Sequence, residues 1–303
     1  MSRPVRSAII AFVLTAGLSA CGMTNAQRPA TQTFASATAA LGDTTSDELA
    51  KMRDAMIEMN IAALGLPDEA AEQGIRNGDA EFLDRGVERE LVTGYAAGGR
   101  ALKAYGTALS ELAAASTAEE VKRANANMAG AFNNLPDSVK VLDKKDVDAT
   151  AGVVASVNNL FTEGMKARAI RTLVPTYGPA VSTLCEMVAR PFDPGAVGAN
   201  GRPMPISAYS TRSSDLQLRS RRLLRSRPGD LEARRAAVIA LRLGTGHRTK
   251  ADTLAAGVKA ASESCVKANA ELMKAAQSSD TDLNDIIRYA EQVSELVNAV
   301  SAF

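Results

Sequence analysis

The sequence predicts an all-α protein, an elongated antiparallel bundle of long helices with coiled-coil-like packing. Apolar residues recur at alternating steps of three and four along most of the 303 residues, which is the period of a helix with one buried face. Hydrophobic residues make up 46% of the chain, but aromatics supply only 4% and Trp is absent. The apolar surface is therefore largely alanine and aliphatic, and alanine both favours helix and lets backbones approach closely. No segment alternates strictly enough to argue a sheet, and no fixed-length repeat points to a regular solenoid.

The amino terminus has the three parts of a secretory signal: Arg3 and Arg6, an apolar run from Ala8 to Leu18, and small residues after it. The run is about half of the ~20 residues that a spanning helix needs, so it reads as a signal core (residues 1–20) and not as a permanent stem. Leu18-Ser19-Ala20-Cys21 resembles the lipobox of bacterial lipoproteins, with Leu three residues before the cysteine and small residues between. The resemblance implies cleavage between Ala20 and Cys21, a diacylglycerol on the Cys21 thiol and acylation of the freed amine. Several acyl chains on one residue give stable anchoring where one alone is marginal. Gly22 in place of Asp after the cysteine implies sorting to the outer membrane, with the body in the periplasm. Residues 21–30 read as a short polar tether, and 31–303 as the helical bundle.

Along the bundle, Leu49, Met52, Met56, Met59 and Ala63 form a stripe behind a Thr45-to-Glu48 capping box. A short helix is expected from Pro67 to Asn77-Gly78. Leu91, Tyr95, Gly98, Leu102, Tyr105, Leu109 and Leu112 then repeat at an average of 3.5 residues, the strongest such signal in the chain. Gly94, Gly98 and Gly99 weaken an isolated helix but would let a partner backbone close in. A second capping box, Thr117 to Glu120, opens a helix carrying Val121, Ala124, Met128 and Phe132, and Leu135-Pro136-Asp137 breaks it. Helix resumes with Val153, Val157, Leu160, Phe161 and Met165, and a kink or short break is expected at Pro175 before Val181, Leu184, Cys185 and Val188.

Residues 191–214 hold Pro191, Pro194, Pro203, Pro205, Gly195, Gly198 and Gly201 and read as a loop and internal boundary. Two helices, Asp215 to Ser226 and Pro228 to Leu243, are expected next. A turn at Gly244-Thr245-Gly246-His247 follows, then a long helix with Leu254, Val258, Ala261, Cys265, Ala268 and Leu272. A last helix, capped by Asp280, carries Leu283, Ile286, Ala290, Val293, Val297 and Val300.

Lys+Arg 35 against Asp+Glu 34 leaves a net charge of +1, so no global field draws in nucleic acid. The single histidine, His247, has no legible partners and reads as a solvated turn residue. The P-loop spacing, a nucleophile elbow, Cys-x-x-Cys and His-Glu-x-x-His are missing, so no catalytic residue, metal ligand or cofactor is assigned. With Cys21 lipidated, Cys185 and Cys265 remain as an even pair on two apolar stripes, either bridged in an oxidising compartment or buried as free thiols.

The one unusual charge feature is the run Arg212, Arg219, Arg221, Arg222, Arg225, Arg227, Arg234, Arg235, Arg242 and Arg248. It reads either as a solvated helix face or as a patch, centred on Arg219, Arg221, Arg222, Arg225 and Arg227, for anionic lipid, lipopolysaccharide phosphate or an acidic envelope protein. The expectation is a non-enzymatic, lipid-anchored envelope protein with a structural or interaction role. A membrane-active or lipid-carrying bundle is the alternative.

Overall fold

The computed structural model describes residues 27–66, 89–133, 162–198, 201–227, 229–278 and 283–303. Seven α-helices account for nearly all of these: α1 (Gln27–Leu64), α2 (Arg89–Ala114), α3 (Ala118–Asn133), α4 (Thr162–Ala189), α5 (Pro205–Ser226), α6 (Leu231–Gln277) and α7 (Asn284–Ser301). The expected helix at Pro67, the break at Leu135-Pro136-Asp137, the stripe from Val153 to Phe161 and the Asp280 cap lie outside the described residues.

The spine is α6, whose 47 residues span ~70 Å at 1.5 Å per residue. Its carboxyl-terminal half is enclosed by α1, α4 and α7, all antiparallel to it. On α4, Asn269 Nδ2 donates to the Gly178 carbonyl (2.7 Å) and Ser262 Oγ to the Cys185 carbonyl (2.7 Å). On α7, Ser264 Oγ donates to Gln292 Oε1 (2.6 Å), and Tyr289 Oη reaches Thr38 Oγ1 of α1 (3.3 Å). The predicted stripe Leu254, Val258, Ala261, Cys265, Ala268 and Leu272 is buried throughout. The amino-terminal half of α6 is packed by α5 instead, with Leu216, Ser220 and Leu223 meeting Ala233, Ala237 and Ala240. That pairing forms a two-helix arm.

The most extensive pairing, α1 with α2, depends on missing side chains. A Cβ at Gly106 would stand 2.5 Å from both the Ala35 carbonyl oxygen and the Ala39 nitrogen, and one at Gly99 2.8 Å from the Gly42 carbonyl oxygen. At these positions only glycine lets the two backbones touch. Gly99 thus has the role expected of it, whereas Gly94 faces open space. From Gly98 to Leu112 the predicted stripe is buried, while Leu91 and Tyr95 are half-buried.

Several expectations are corrected. Helix α1 is already formed at Gln27, so the tether does not extend to residue 30, and Thr45-to-Glu48 is not a cap: Thr45 Oγ1 bonds back to the Leu41 carbonyl (2.8 Å) inside the helix. Alanines and threonines carry the helix through this region, with Pro29 in its first turn and Gly42 where the backbone of α2 comes close. Residues 205–214 are helical as well, because Pro205 sits at the start of α5, where its missing amide costs nothing. Among the described residues, the part outside helices is therefore 193–198 and 201–204, where Val197 and Pro203 form an isolated bridge and the Gly198 amide donates to the Arg202 carbonyl at 2.8 Å. Pro175 and Pro179 lie inside an unbroken α4, held in line by burial of Leu173, Val174 and Tyr177, the last stacked on Phe132 at 5.0 Å. Gly244 and Gly246 make no turn, since one helix runs through both. Tyr289 and Leu296, outside the predicted stripe of α7, are buried, while Ala290 and Val297 are half-buried.

Candidate functional site

Ala20 and Cys21 lie outside the described residues. Cys185 on α4 and Cys265 on α6 are joined as a disulfide with Cα atoms 6.0 Å apart, both side chains fully buried. The bond ties the spine to α4 within the core.

Where α1, α5 and α6 meet, the sequence reading missed a polar junction. Glu48 is 1% exposed, yet it ion-pairs with Lys250 Nζ at 2.7 Å and Lys51 Nζ at 2.9 Å. One turn away, Tyr209 Oη lies 2.6 Å from His247 Nδ1, and His247 Nε2 lies 3.9 Å from the Glu58 carboxylate. Burial, reinforced by the nearby carboxylates of Glu48 and Glu58, pushes the Tyr209 phenol far up, so Tyr209 stays protonated. The Tyr209 contact is made at Nδ1, which leaves Nε2 on the side of Glu58. His247 is thus half-buried and partnered, a correction to the solvated turn. Burial lowers its pKa, with Lys250 pushing the same way and Glu58 opposing. The signal that could have found it is the i, i+3 spacing of His247 and Lys250 on one helix face.

The junction holds three helices in register. Its carboxylates are engaged with lysines of the same cluster or face solvent. Among the described residues, no group of three or more His, Cys, Asp or Glu side chains is placed to hold a metal ion.

The arginine run divides into two sets. Arg212 Nη1 pairs with Asp215 at 3.1 Å, Arg219 Nη1 approaches the same carboxylate at 4.0 Å, and Arg248 bonds Asp252 (3.2 Å) and Ser214 (3.1 Å). The Arg219 side chain is only 14% exposed, so it stands apart from the outward arginines it was grouped with. Arg221, Arg222, Arg225 and Arg227 are exposed, and Arg235 and Arg242 of α6 join them. Acids are sparse in the arm: between Leu216 and Leu243 they are Asp230, whose side chain caps α6 by accepting from the Ala233 amide at 3.0 Å, and Glu232.

Sequence reasoning also missed the apolar side chains that share the arm's exposed surface: Leu218 (57% exposed), Leu231 (81%), Val238 (54%) and Ile239 (59%). Leu218 precedes Arg221, Arg222 and Arg225 by three, four and seven residues, and Leu231, Arg235, Val238, Ile239 and Arg242 follow the same helical spacing on α6. Each arm helix therefore presents one face on which arginine and aliphatic groups are mixed. No described helix is long and apolar enough to cross a membrane. Comparisons with protein-family models, with curated proteins and with solved structures return no match.

Proposed function

We propose that this chain is a lipid-anchored cell-envelope protein with a non-catalytic structural or interaction role, in which the bundle acts as a spacer between an anchor and the arginine-bearing arm. The observation that carries the reading is the position of Gln27. Its Nε2 donates to the Ala275 carbonyl at 2.7 Å and the Ser278 carbonyl at 3.1 Å, fastening the start of α1 to the carboxyl-terminal end of α6. Cys21 is six residues upstream of this clamp. An anchor there enters at one pole of the spine, and the arm lies at the other, ~70 Å away along α6. The lipobox resemblance of Leu18-Ser19-Ala20-Cys21 supports the anchor, and the opposed poles support the spacer.

The reading is tested in a bacterial host with labelled palmitate. The expected result is label incorporation that Cys21→Ser abolishes, precursor accumulation under globomycin, and release of the Cys21→Ser protein from the lipid-extractable fraction. Unchanged processing under globomycin, or label retained by Cys21→Ser, would overturn it.

A further inference from the structure

The outward side of α5 carries charge that folding does not explain. Leu216, Ser220 and Leu223 turn toward α6, so the side opposite them presents Arg221, Arg222 and Arg225, all exposed, within an arc of ~100° about the helix axis. Like charges three and four residues apart weaken a helix. Of the three, only Arg225 lies in the last turn, where the helix dipole favours a cation. None forms an ion pair among the described residues. The nearest acid along α5, Asp215, is held by Arg212 and Arg219, and no Asp or Glu occurs from Leu216 to Gly229. Arg221 reaches Gln217 Oε1 at 3.5 Å and no carboxylate.

The choice of cation narrows the ligand. Between Lys166 and Lys250 the chain holds no lysine, so every basic side chain of the arm is arginine. Lysine serves a merely solvated face equally well, whereas the guanidinium fork grips an oxyanion through two hydrogen bonds. Shape narrows it further. A single helix is a convex ridge ~10 Å wide, on which Arg222 and Arg221 precede Arg225 by ~4.5 and ~6 Å along the axis. Such a ridge suits a thread of closely spaced charges and not a small molecule in a cleft. Leu218 is the one large aliphatic side chain exposed on this side, too little to insert into a bilayer or to form the apolar centre of a protein interface. A phosphate polymer supplies oxyanions in series and has no apolar surface to bury. We infer that the outward face of α5 binds a linear polyanion whose repeating group is phosphate, with Arg221, Arg222 and Arg225 each engaging phosphate oxygens.

Arg235 and Arg242 lie on the other side of the arm, opposite the seam residues Ala233, Ala237 and Ala240 of α6, and so belong to a different face. Arg212 and Arg248 are already held by Asp215 and Asp252. The inference deepens the interaction role proposed above and rests on that reading for the arm's place in the envelope. Polyanion binding by α5 needs no acyl chain, so the two ideas fail separately.

The test uses the full-length chain carrying Cys21→Ser with short-chain inorganic polyphosphate as the probe, titrated by calorimetry over a range of salt concentrations. The expected result is binding whose logarithm falls linearly with the logarithm of salt concentration. Arg221→Gln/Arg222→Gln/Arg225→Gln should lose at least about tenfold in affinity at low salt and flatten that slope by about 2, or ~0.7 for each lost contact. Arg221→Lys/Arg222→Lys/Arg225→Lys keeps the charge without the fork and should fall between the two. Arg235→Gln/Arg242→Gln, and the exposed set Arg168→Gln/Lys259→Gln/Lys267→Gln that removes the same charge, should bind as the parent does. All substituted side chains are exposed, so unchanged helical circular dichroism is expected. If the triple glutamine variant melts early, Arg222→Gln alone replaces it. No binding by the parent, or an equal loss in either control variant, would overturn the inference. So would polyglutamate of the same length binding as tightly, which assigns the face to an acidic polypeptide, or a parent that binds phosphatidylglycerol vesicles but not polyphosphate.

Discussion

Glu48 is the one fully buried carboxylate among the described residues, and Lys250 pairs with it at 2.7 Å. A buried ion pair gives little net stability over an apolar pair of similar shape, but removing one partner leaves a charge stranded in the core. The pair therefore works mainly by fixing the register of α1 on α6. His247, beside it, provides a pH readout, and as the only histidine it titrates without interference from another imidazole. Its pKa is lowered in the folded chain by burial, with Lys250 adding to the effect and Glu58 opposing it. The unfolded chain therefore takes up the proton first as pH falls. The stabilising contribution of the neutral ring is fully present above the ordinary histidine value of ~6.5 and is lost as pH drops below it toward the folded value. The melting temperature of the parent should fall more steeply between pH 7 and 5 than that of His247→Gln, as read by circular dichroism. Parallel curves would mean that the ring is free of the junction.

Two segments carry the same local signal for a helix start, and the chain uses only one. At Thr117, the Glu120 amide donates to Thr117 Oγ1 (3.2 Å), while Glu120 Oε2 accepts from the Ser116 and Thr117 amides at 2.7 and 3.1 Å, a capping box with its partners in place. Those bonds favour the carboxylate and lower the Glu120 pKa. At Thr45 the helix is already eighteen residues old, and Glu48 turns inward to Lys250. A cap forms where the helix begins, and before Thr45 the helix is already continuous because Pro29 sits in its first turn and Gly42 is held against α2. Glycines make the same point with opposite signs. A Cβ at Gly246 meets nothing within 4 Å and the backbone there is right-handed helix, so Gly246→Ala should raise stability by about 1 kcal/mol. Gly106→Ala should lower it by about 1–3 kcal/mol, because the Ala35 and Ala39 backbones must move away. Urea melts of the two variants check both; a loss at Gly246 would restore the turn that the sequence pattern suggested.

For the molecule as a whole, the Cys185–Cys265 bond joins positions 80 residues apart and closes a loop that contains the arm. In the chain-entropy model such a closure restricts the unfolded state by about 4 kcal/mol. Cys185→Ser/Cys265→Ser should shift the urea midpoint down by a corresponding amount under oxidising conditions and hardly at all in reductant. Mass spectrometry of the unreduced protein should find no thiol at either position; two alkylatable thiols there would remove the bridge. The bond also anchors the base of the arm, since α4 leads into α5 through the short loop after Phe192. The arm depends on that base, having only α5 and half of α6 to bury their shared seam.

The helical class, the buried stripes of α2, α3 and α6 and the Thr117–Glu120 start were all legible in the order of residues, because each follows from a period or a bond that spans a few positions. The merging of two expected helices and a turn into one 47-residue spine was not legible, nor was the passage of α4 through Pro175 and Pro179. In both cases packing along a long interface outweighs a local penalty of ~1–3 kcal/mol for glycine or proline. The arginine run was visible in the sequence, but its division was not. Whether an arginine faces Asp215 or solvent depends on the rotation of α5 against α6, and so does the exposure of Leu231, Val238 and Ile239. That rotation is set by how the buried residues of the inner seam, Leu216, Ser220 and Leu223 on α5 and Ala233, Ala237 and Ala240 on α6, pack together.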